Sequence, residues 1–147
     1  MKLKKSSLYA LFAVLELASD PRRQLSTTDI ADRYGISTHH LAKIMRTLSH
    51  AGLVQAVRGV GGGYRFSGNV GRTTLRDVIS LFETLESDLD LPNHRNEADN
   101  PVVSELQRIS REIDELTKAV LDTVTLKTAL KSTLPRAAAD EGARTPS

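Results

Sequence analysis

Apolar residues recur at spacings of three and four along several stretches of the chain, which is the periodicity of amphipathic helices. The first three predicted helices cover residues 5–18, 26–34 and 38–51. A glycine-bearing turn separates the second from the third, and Ser37 stands where a side-chain oxygen can cap the third. A short helix, a tight turn and a second capped helix predict a helix-turn-helix.

The next stretch has the period of two that is typical of β-strands. Residues 53–58 alternate apolar and polar side chains, and the glycine-rich loop 59–63 leads into a second short run at residues 64–66. We predict a β-hairpin of the kind called a wing. Glycine-rich loops also bind nucleotide phosphates, but this one lacks the strand-to-helix context and the Lys-Ser/Thr ending of that motif.

The C-terminal half predicts a helix over residues 75–85, a long helix over residues 101–124 and a short one capped by Thr125. The long helix has apolar residues alternately four and three positions apart, which is a heptad pattern. We interpret it as a dimerisation helix, with a contact inside its own domain as the alternative. The short helix is expected to pack on its own winged helix or on the partner's. The heptad residues are Val102, Leu106, Ile109, Ile113, Leu116 and Val120.

These elements predict a mainly α protein with two functional parts. Residues 1–85 form a winged helix-turn-helix domain, and residues 101–133 supply the dimerisation helix and the short C-terminal helix. Residues 86–100 are predicted to be a loop, and residues 134–147 a disordered tail.

Charge separates the two halves of the chain. Residues 1–72 contain 11 Lys and Arg against 4 Asp and Glu, a net charge of +7, whereas residues 73–147 have a net charge of −5. A basic N-terminal half is typical of a nucleic-acid-binding module. A basic helix face is also compatible with simple solvation, but the N-terminal residues of the second helix of a helix-turn-helix normally contact base edges.

We therefore predict that the third helix and the wing contact double-stranded DNA. Thr38, His39, His40 and Lys43 are expected nearest the bases, with Arg46 and His50 on phosphates. The wing is expected to contribute its arginines and a backbone that approaches the minor groove. The full predicted set is Ser37, Thr38, His39, His40, Lys43, Arg46 and His50 on the helix, and Arg58, Gly61, Gly62, Gly63, Tyr64 and Arg65 in the wing.

Composition excludes several other classes of protein. The sequence has no cysteine, which excludes disulfides, thiolate catalysis and thiolate-bound metal clusters. No apolar run approaches the roughly 20 residues that span a bilayer. The basic, then apolar, start resembles an export signal, but Glu16 and Asp20 lie where a cleavage site of small residues belongs, so we predict a cytoplasmic protein.

Catalytic and metal-binding chemistry also lacks support. No nucleophile–base pair, metal quartet or nucleotide loop is evident, so we do not expect an enzyme. His94 lies among acidic residues that could bind a divalent ion weakly, but a solvated acidic loop is the favoured interpretation. We predict no metal site and no cofactor.

Three motifs occupy characteristic places: Ile-Ala-Asp-x-Tyr-Gly-Ile-Ser at residues 30–37, Arg-Gly-x-Gly-Gly-Gly-x-Arg at 58–65, and Leu-Asp-x-Val-Thr-Leu at 121–126. This combination resembles the Rrf-two winged-helix repressors, which include IscR- and NsrR-type regulators. The resemblance covers roughly residues 1–132. It implies a homodimer with crossed long helices that binds a partly palindromic operator.

The sequence departs from that family at the sensor. Many relatives have three cysteines between the fourth helix and the long helix, whereas this chain has DLPNHRNEADN at residues 90–100. Leu8 also replaces an acidic cluster ligand of NsrR-type members. We therefore predict a repressor that uses no iron–sulfur cluster, and place any small-molecule or protein effector between the first, fourth and long helices. The alternative function is a protein-interaction module that binds another protein through the winged helix or the heptad helix.

Overall fold

A computed structural model describes residues 1–87, 89 and 100–133. The predicted tail and most of the predicted 86–100 loop, which includes His94, therefore lie outside the described residues. The mainly α architecture with one two-stranded antiparallel sheet is as predicted. In chain order the elements are α1 (Lys5–Ala18), α2 (Thr27–Tyr34), α3 (Thr38–His50), β1 (Val54–Val57), β2 (Gly63–Phe66), α4 (Leu75–Ile79), α5 (Pro101–Thr123) and α6 (Leu126–Lys131).

Local capping fixes the helix-turn-helix. The Ser26 hydroxyl accepts a hydrogen bond from the Asp29 amide, and the Asp29 carboxylate accepts one from the Ser26 amide, which completes a capping box. Gly35 ends α2 in the left-handed region with φ 65°, where a side chain would be strained. Ser37 then caps α3 by accepting from the His40 amide. The predicted helix-turn-helix is confirmed.

The core forms where α1 packs on α3 and α4. Small and branched residues of α1 are inaccessible to solvent, which lets the neighbouring helices approach closely. The apolar face of α3 is buried against them, and α6 inserts one leucine from the far end of the chain. The fully buried residues of this core include Ala10, Ala13, Val14, Leu17, Leu41, Met45, Leu48, Val78, Ile79 and Leu126.

Helix α4 is shorter than predicted. The sequence pattern favoured residues 75–85, but the helix ends at Ile79, and tighter bonds such as Phe82 N to Ile79 O follow it. This departure brings Glu83 to the start of α1, where its carboxylate accepts from the Lys4 amide at 2.8 Å and from the Ser7 hydroxyl. The turn that follows α4 is thereby held against the first turn of α1, where Glu83 satisfies one backbone amide.

Backbone hydrogen bonds join the end of α5 to the winged helix. Leu75 N donates to Val124 O and Leu126 N donates to Thr73 O, each at 2.9 Å. These bonds flank a short bridge between Thr74 and Thr125. Helix α6 packs on its own domain in this single chain, with Leu126 fully buried in the core. Packing on a partner's winged helix stays a prediction. None of the described helices is both long and apolar enough to cross a membrane.

Candidate nucleic-acid interface

Helix α3 presents a basic face to solvent. His39, Lys43, Arg46 and His50 are all exposed, whereas the opposite face is buried in the core. At about 100° per residue these four side chains fall within a narrow sector of the helix surface. Within the described part of the chain none of them forms an ion pair. The positive charges of Lys43 and Arg46 are thus available to an external anion.

His40 is placed differently from the other predicted base contacts. It lies about 100° around α3 from His39, half-buried against α1. Its Nε2 is 3.3 Å from the Ser6 hydroxyl, and its ring meets the Tyr9 ring edge-on with centroids 5.5 Å apart. The structure therefore puts His40 at the edge of the basic face. Ser37 and Thr38 are exposed at the start of the helix, and a base contact by His40 stays a prediction.

The wing is a regular antiparallel hairpin. Gln55 pairs with Arg65 across the strands, and the Arg65 guanidinium donates to the Gln55 side chain at 3.1 Å. Arg58 is exposed immediately after β1. The two predicted wing arginines therefore lie at opposite ends of β1, both open to solvent.

Val60 occupies the tip of the wing and is fully exposed. It was absent from the set predicted to contact DNA. The signal that could have identified it is an apolar residue isolated among the glycines of the loop, where no core position is available. An exposed apolar side chain at a wing tip is a candidate for contact with the sugars of the minor groove.

Contacts within the protein explain why glycine occupies two of the wing positions. A Cβ at Gly63 would lie 2.4 Å from the Leu25 carbonyl oxygen. That close approach exists because Leu25 exchanges two backbone hydrogen bonds with Tyr64, at 2.8 and 3.0 Å. Gly61 has φ 76°, where other residues are strained. Tyr64 packs against the core and is half-buried. Gly61 and Gly63 are therefore explained by the geometry of the hairpin and its contact with Leu25.

A half-buried carboxylate supports the helix-turn-helix from the side opposite the basic face. Glu16 of α1 accepts hydrogen bonds from Arg23 at 3.0 Å, from the Tyr34 hydroxyl at 2.5 Å, and from Arg33. Burial opposes its ionisation, yet the Tyr34 hydrogen bond and the two arginines outweigh this, so the pKa of Glu16 lies below its ordinary value. Burial and the adjacent carboxylate raise the pKa of Tyr34 to about 12.

Sequence reasoning did not identify this network, because its partners are 7 to 18 residues from Glu16 and follow no local motif. A ring contact adds to it, since Phe12 stacks on Tyr34 with centroids 4.9 Å apart. Together these contacts fix the end of α2 on α1. They therefore fix the turn from which the recognition helix α3 begins.

The heptad residues of α5 are all exposed. Their exposed fractions range from 39% for Ile109 to 68% for Val102. At its C-terminal end the helix is attached to the domain by Leu121, which is buried in the core. A row of large apolar side chains thus runs along the helix without cover from the described part of its own chain.

Comparisons with known proteins agree with this architecture. The Rrf2 family model, described as an iron-dependent transcriptional regulator, matches residues 3–132. BadM of Rhodopseudomonas palustris, which is named as an HTH-type transcriptional regulator, is 47% identical over 131 residues, 89% of this chain and 82% of BadM.

Solved structures show the same fold. CymR, the global cysteine regulator of B. subtilis, has a TM-score of 0.68 and 27% identity, covering 90% of this chain and 98% of CymR. T. potens IscR has a TM-score of 0.65 and 26% identity, covering 100% of this chain and 93% of IscR. These relatives are regulators and not enzymes. With its winged helix, its exposed basic helix and a family match over nearly the whole sequence, this chain belongs to the Rrf2 family of DNA-binding transcriptional regulators.

Proposed function

We propose that this protein is a cytoplasmic, homodimeric repressor that binds a sequence-specific, partly palindromic operator without an iron–sulfur cluster. The observation that carries the proposal is the exposed apolar row on α5. Two copies paired along this row bury it and present two copies of α3. A two-fold dimer and a palindromic operator have the same symmetry.

The geometry of α5 favours pairing of two helices. Its 23 residues extend about 35 Å at about 1.5 Å per residue. The row keeps the alternating spacing of four and three that holds a narrow seam towards a partner helix. Six large side chains left in water would be an unfavourable surface for a lone chain. The alternative function, capture of another protein by this face, predicts a monomer in isolation.

The proposed repression depends on where the dimer binds relative to a promoter. A dimer bound across a promoter prevents RNA polymerase from occupying the same DNA. The resemblance to winged-helix repressors supports this role, which requires an operator that overlaps a promoter.

The residues of this chain do not fit the iron–sulfur cluster that the family resemblance implies. Such clusters are held mainly by cysteine thiolates, and the sequence contains none. Within residues 1–87, 89 and 100–133, no group of three or more His, Asp and Glu side chains could hold a metal ion. We therefore assign no step of DNA binding or release to a cluster.

Sedimentation velocity tests the dimer. The wild-type protein should sediment as a dimer at micromolar concentration, and Leu116→Asp should sediment as a monomer with unchanged helical circular dichroism. Glu112→Gln, one turn away on the same helix, is the matched control and should remain dimeric. A monomeric wild-type protein would contradict the proposal and favour the protein-interaction alternative.

Selection from random duplexes tests the operator, and a footprint on the protein's own upstream region places it. We expect an enriched site with two related half-sites. Transcription in vitro from a promoter overlapping that site should fall when the protein is added. Equal binding to all sequences would exclude a specific operator, and increased transcription would exclude repression.

An absorbance spectrum of the anaerobically purified protein tests the cofactor assignment. We expect no visible chromophore and no stoichiometric iron, with operator affinity unchanged by chelators. A stoichiometric iron–sulfur chromophore would overturn the assignment.

A further inference from the structure

We propose that Lys5, at the first turn of α1, binds a DNA phosphate beside the recognition helix. The inference deepens the proposed function, on which it rests, by adding a second backbone-binding segment to α3 and the wing. It concerns a part of the chain that lies 33 residues before Thr38 in sequence and beside α3 in space.

The contact between α1 and α3 places Lys5 next to the basic face. Ser6 and Tyr9 both touch His40, which is in the first turn of α3. At about 100° per residue, Tyr9 lies between Lys5 and Ser6 on the surface of α1. Lys5 therefore lies just past the contact with His40, on the exposed side of α1.

The width of the DNA groove indicates that Lys5 lies beside a backbone phosphate when α3 is in the groove. The major groove is about 12 Å wide and a helix with its side chains is about 10–12 Å in diameter. A recognition helix consequently fills the groove, and whatever packs on its flank meets the groove wall. The wall is the sugar–phosphate backbone. Since α1 packs on the His40 flank of α3, its first turn meets one strand there.

The charge of Lys5 is not used within the described part of the protein. Its side chain forms no ion pair with any described residue. The carboxylate of Glu83, at the same turn, instead accepts hydrogen bonds from the Lys4 amide and the Ser7 hydroxyl on other sides of α1. Glu83 thereby fixes the start of α1 while leaving Lys5 free for an external anion.

The test is the salt dependence of binding by the full chain to a random-sequence duplex, measured by fluorescence anisotropy. The slope of log affinity against log salt is about −0.9 for each phosphate neutralised. Lys5→Ala in both protomers should make the slope shallower by about 1.8. The ratio of the wild-type affinity to the variant affinity should then fall about tenfold between roughly 50 and 200 mM salt.

Two variants make the result specific. Arg111→Ala removes one positive charge from the exposed side of α5 opposite the apolar row, and it should leave the slope unchanged. Lys5→Arg should retain the wild-type slope. Equal slopes for Lys5→Ala and wild type, or an equal reduction by Arg111→Ala, would overturn the inference.

The measurement is independent of the operator proposal, because phosphate contacts act on any duplex. If selection finds no specific site but the Lys5→Ala slope is reduced, the phosphate contact stands and the operator fails. If a specific site is found and the slope is unchanged, the operator stands and the contact fails. Because Lys5 is exposed, thermal melting of all three variants should match that of the wild type.

Discussion

Helices α3 and α5 have similar sequence patterns and opposite surroundings. Each begins at a polar cap, Ser37 for α3 and Asn100 for α5, and each carries one apolar row. The α3 row is at most 2% exposed, whereas the α5 row is 39% to 68% exposed. Periodicity therefore shows that a helix has an apolar face. It does not show whether the residues that bury this face belong to the same chain.

The polar faces differ as well. On α5, Arg108 pairs with Glu105 and Glu112, and Lys118 pairs with Glu115, so its charges are largely neutralised along the helix. The histidines and basic residues on the face of α3 have no such partners among the described residues. The helix that keeps its apolar row inside the domain presents unpaired charge to solvent, whereas the helix that exposes its apolar row pairs most of its charges along its own surface.

The largest expected effect concerns the two apolar rows. Leu41→Ala should lower the free energy of unfolding by about 2–5 kcal/mol, because it leaves a cavity in the core. Leu116→Ala should act through dimerisation, so its effect on the melting temperature should depend on protein concentration. Chemical denaturation at two protein concentrations measures both. A large, concentration-independent loss for Leu116→Ala would mean that α5 is buried within its own chain.

The next effect concerns the polar faces. Lys43→Ala should weaken binding to the selected operator by about 1–3 kcal/mol, because Lys43 lies on the face expected to contact bases. Lys118→Ala, which removes the same charge from α5, should leave operator affinity unchanged. Competition binding against single-base variants of the operator is the measurement. A uniform loss across all variants would assign Lys43 to a phosphate instead of a base.

The smallest expected effect contrasts the half-buried ionic network of Glu16 with an exposed ion pair on α5. Glu16→Gln should cost about 1 kcal/mol of stability at pH 7 through weaker hydrogen bonds to the charged partners. Because folding lowers the pKa of Glu16, this contribution is complete above the ordinary glutamate pKa and is lost as pH falls through the lowered value.

Urea denaturation at several pH values should therefore show the two proteins converging in acid. Glu105→Gln, in the exposed α5 pair, should match the wild type near neutrality. A difference between Glu16→Gln and wild type that persists at low pH would show that packing, and not ionisation, is responsible.

Much of the fold could be predicted from sequence because its determinants are local. The capping box of Ser26 and Asp29, the turn at Gly35 and the heptad row each need only neighbouring residues to be recognised. The early end of α4 and the contacts that follow it could not be predicted, because Glu83 there bonds groups 76 and 79 residues away in sequence.

The exposed basic face of α3 could be predicted in part for the same reason. His39, Lys43 and Arg46 share a face by helix periodicity alone. The inward placement of His40 depends on Ser6 and Tyr9, and the packing requirement at Gly63 depends on Leu25. Both are long-range contacts, which a pattern along the chain does not encode.

In the proposed dimer, the attachment of α5 sets the distance between the two copies of α3. Backbone bonds to Thr73 and Leu75 hold residues 124–126, and Leu121 is buried in the core, so the angle between α5 and α3 is fixed by this joint together with the last turn of α5. In a dimer paired through α5, that angle determines how far apart the two copies of α3 stand along the duplex. Relatives with the same recognition helix but an altered joint would prefer the same half-sites at a different spacing.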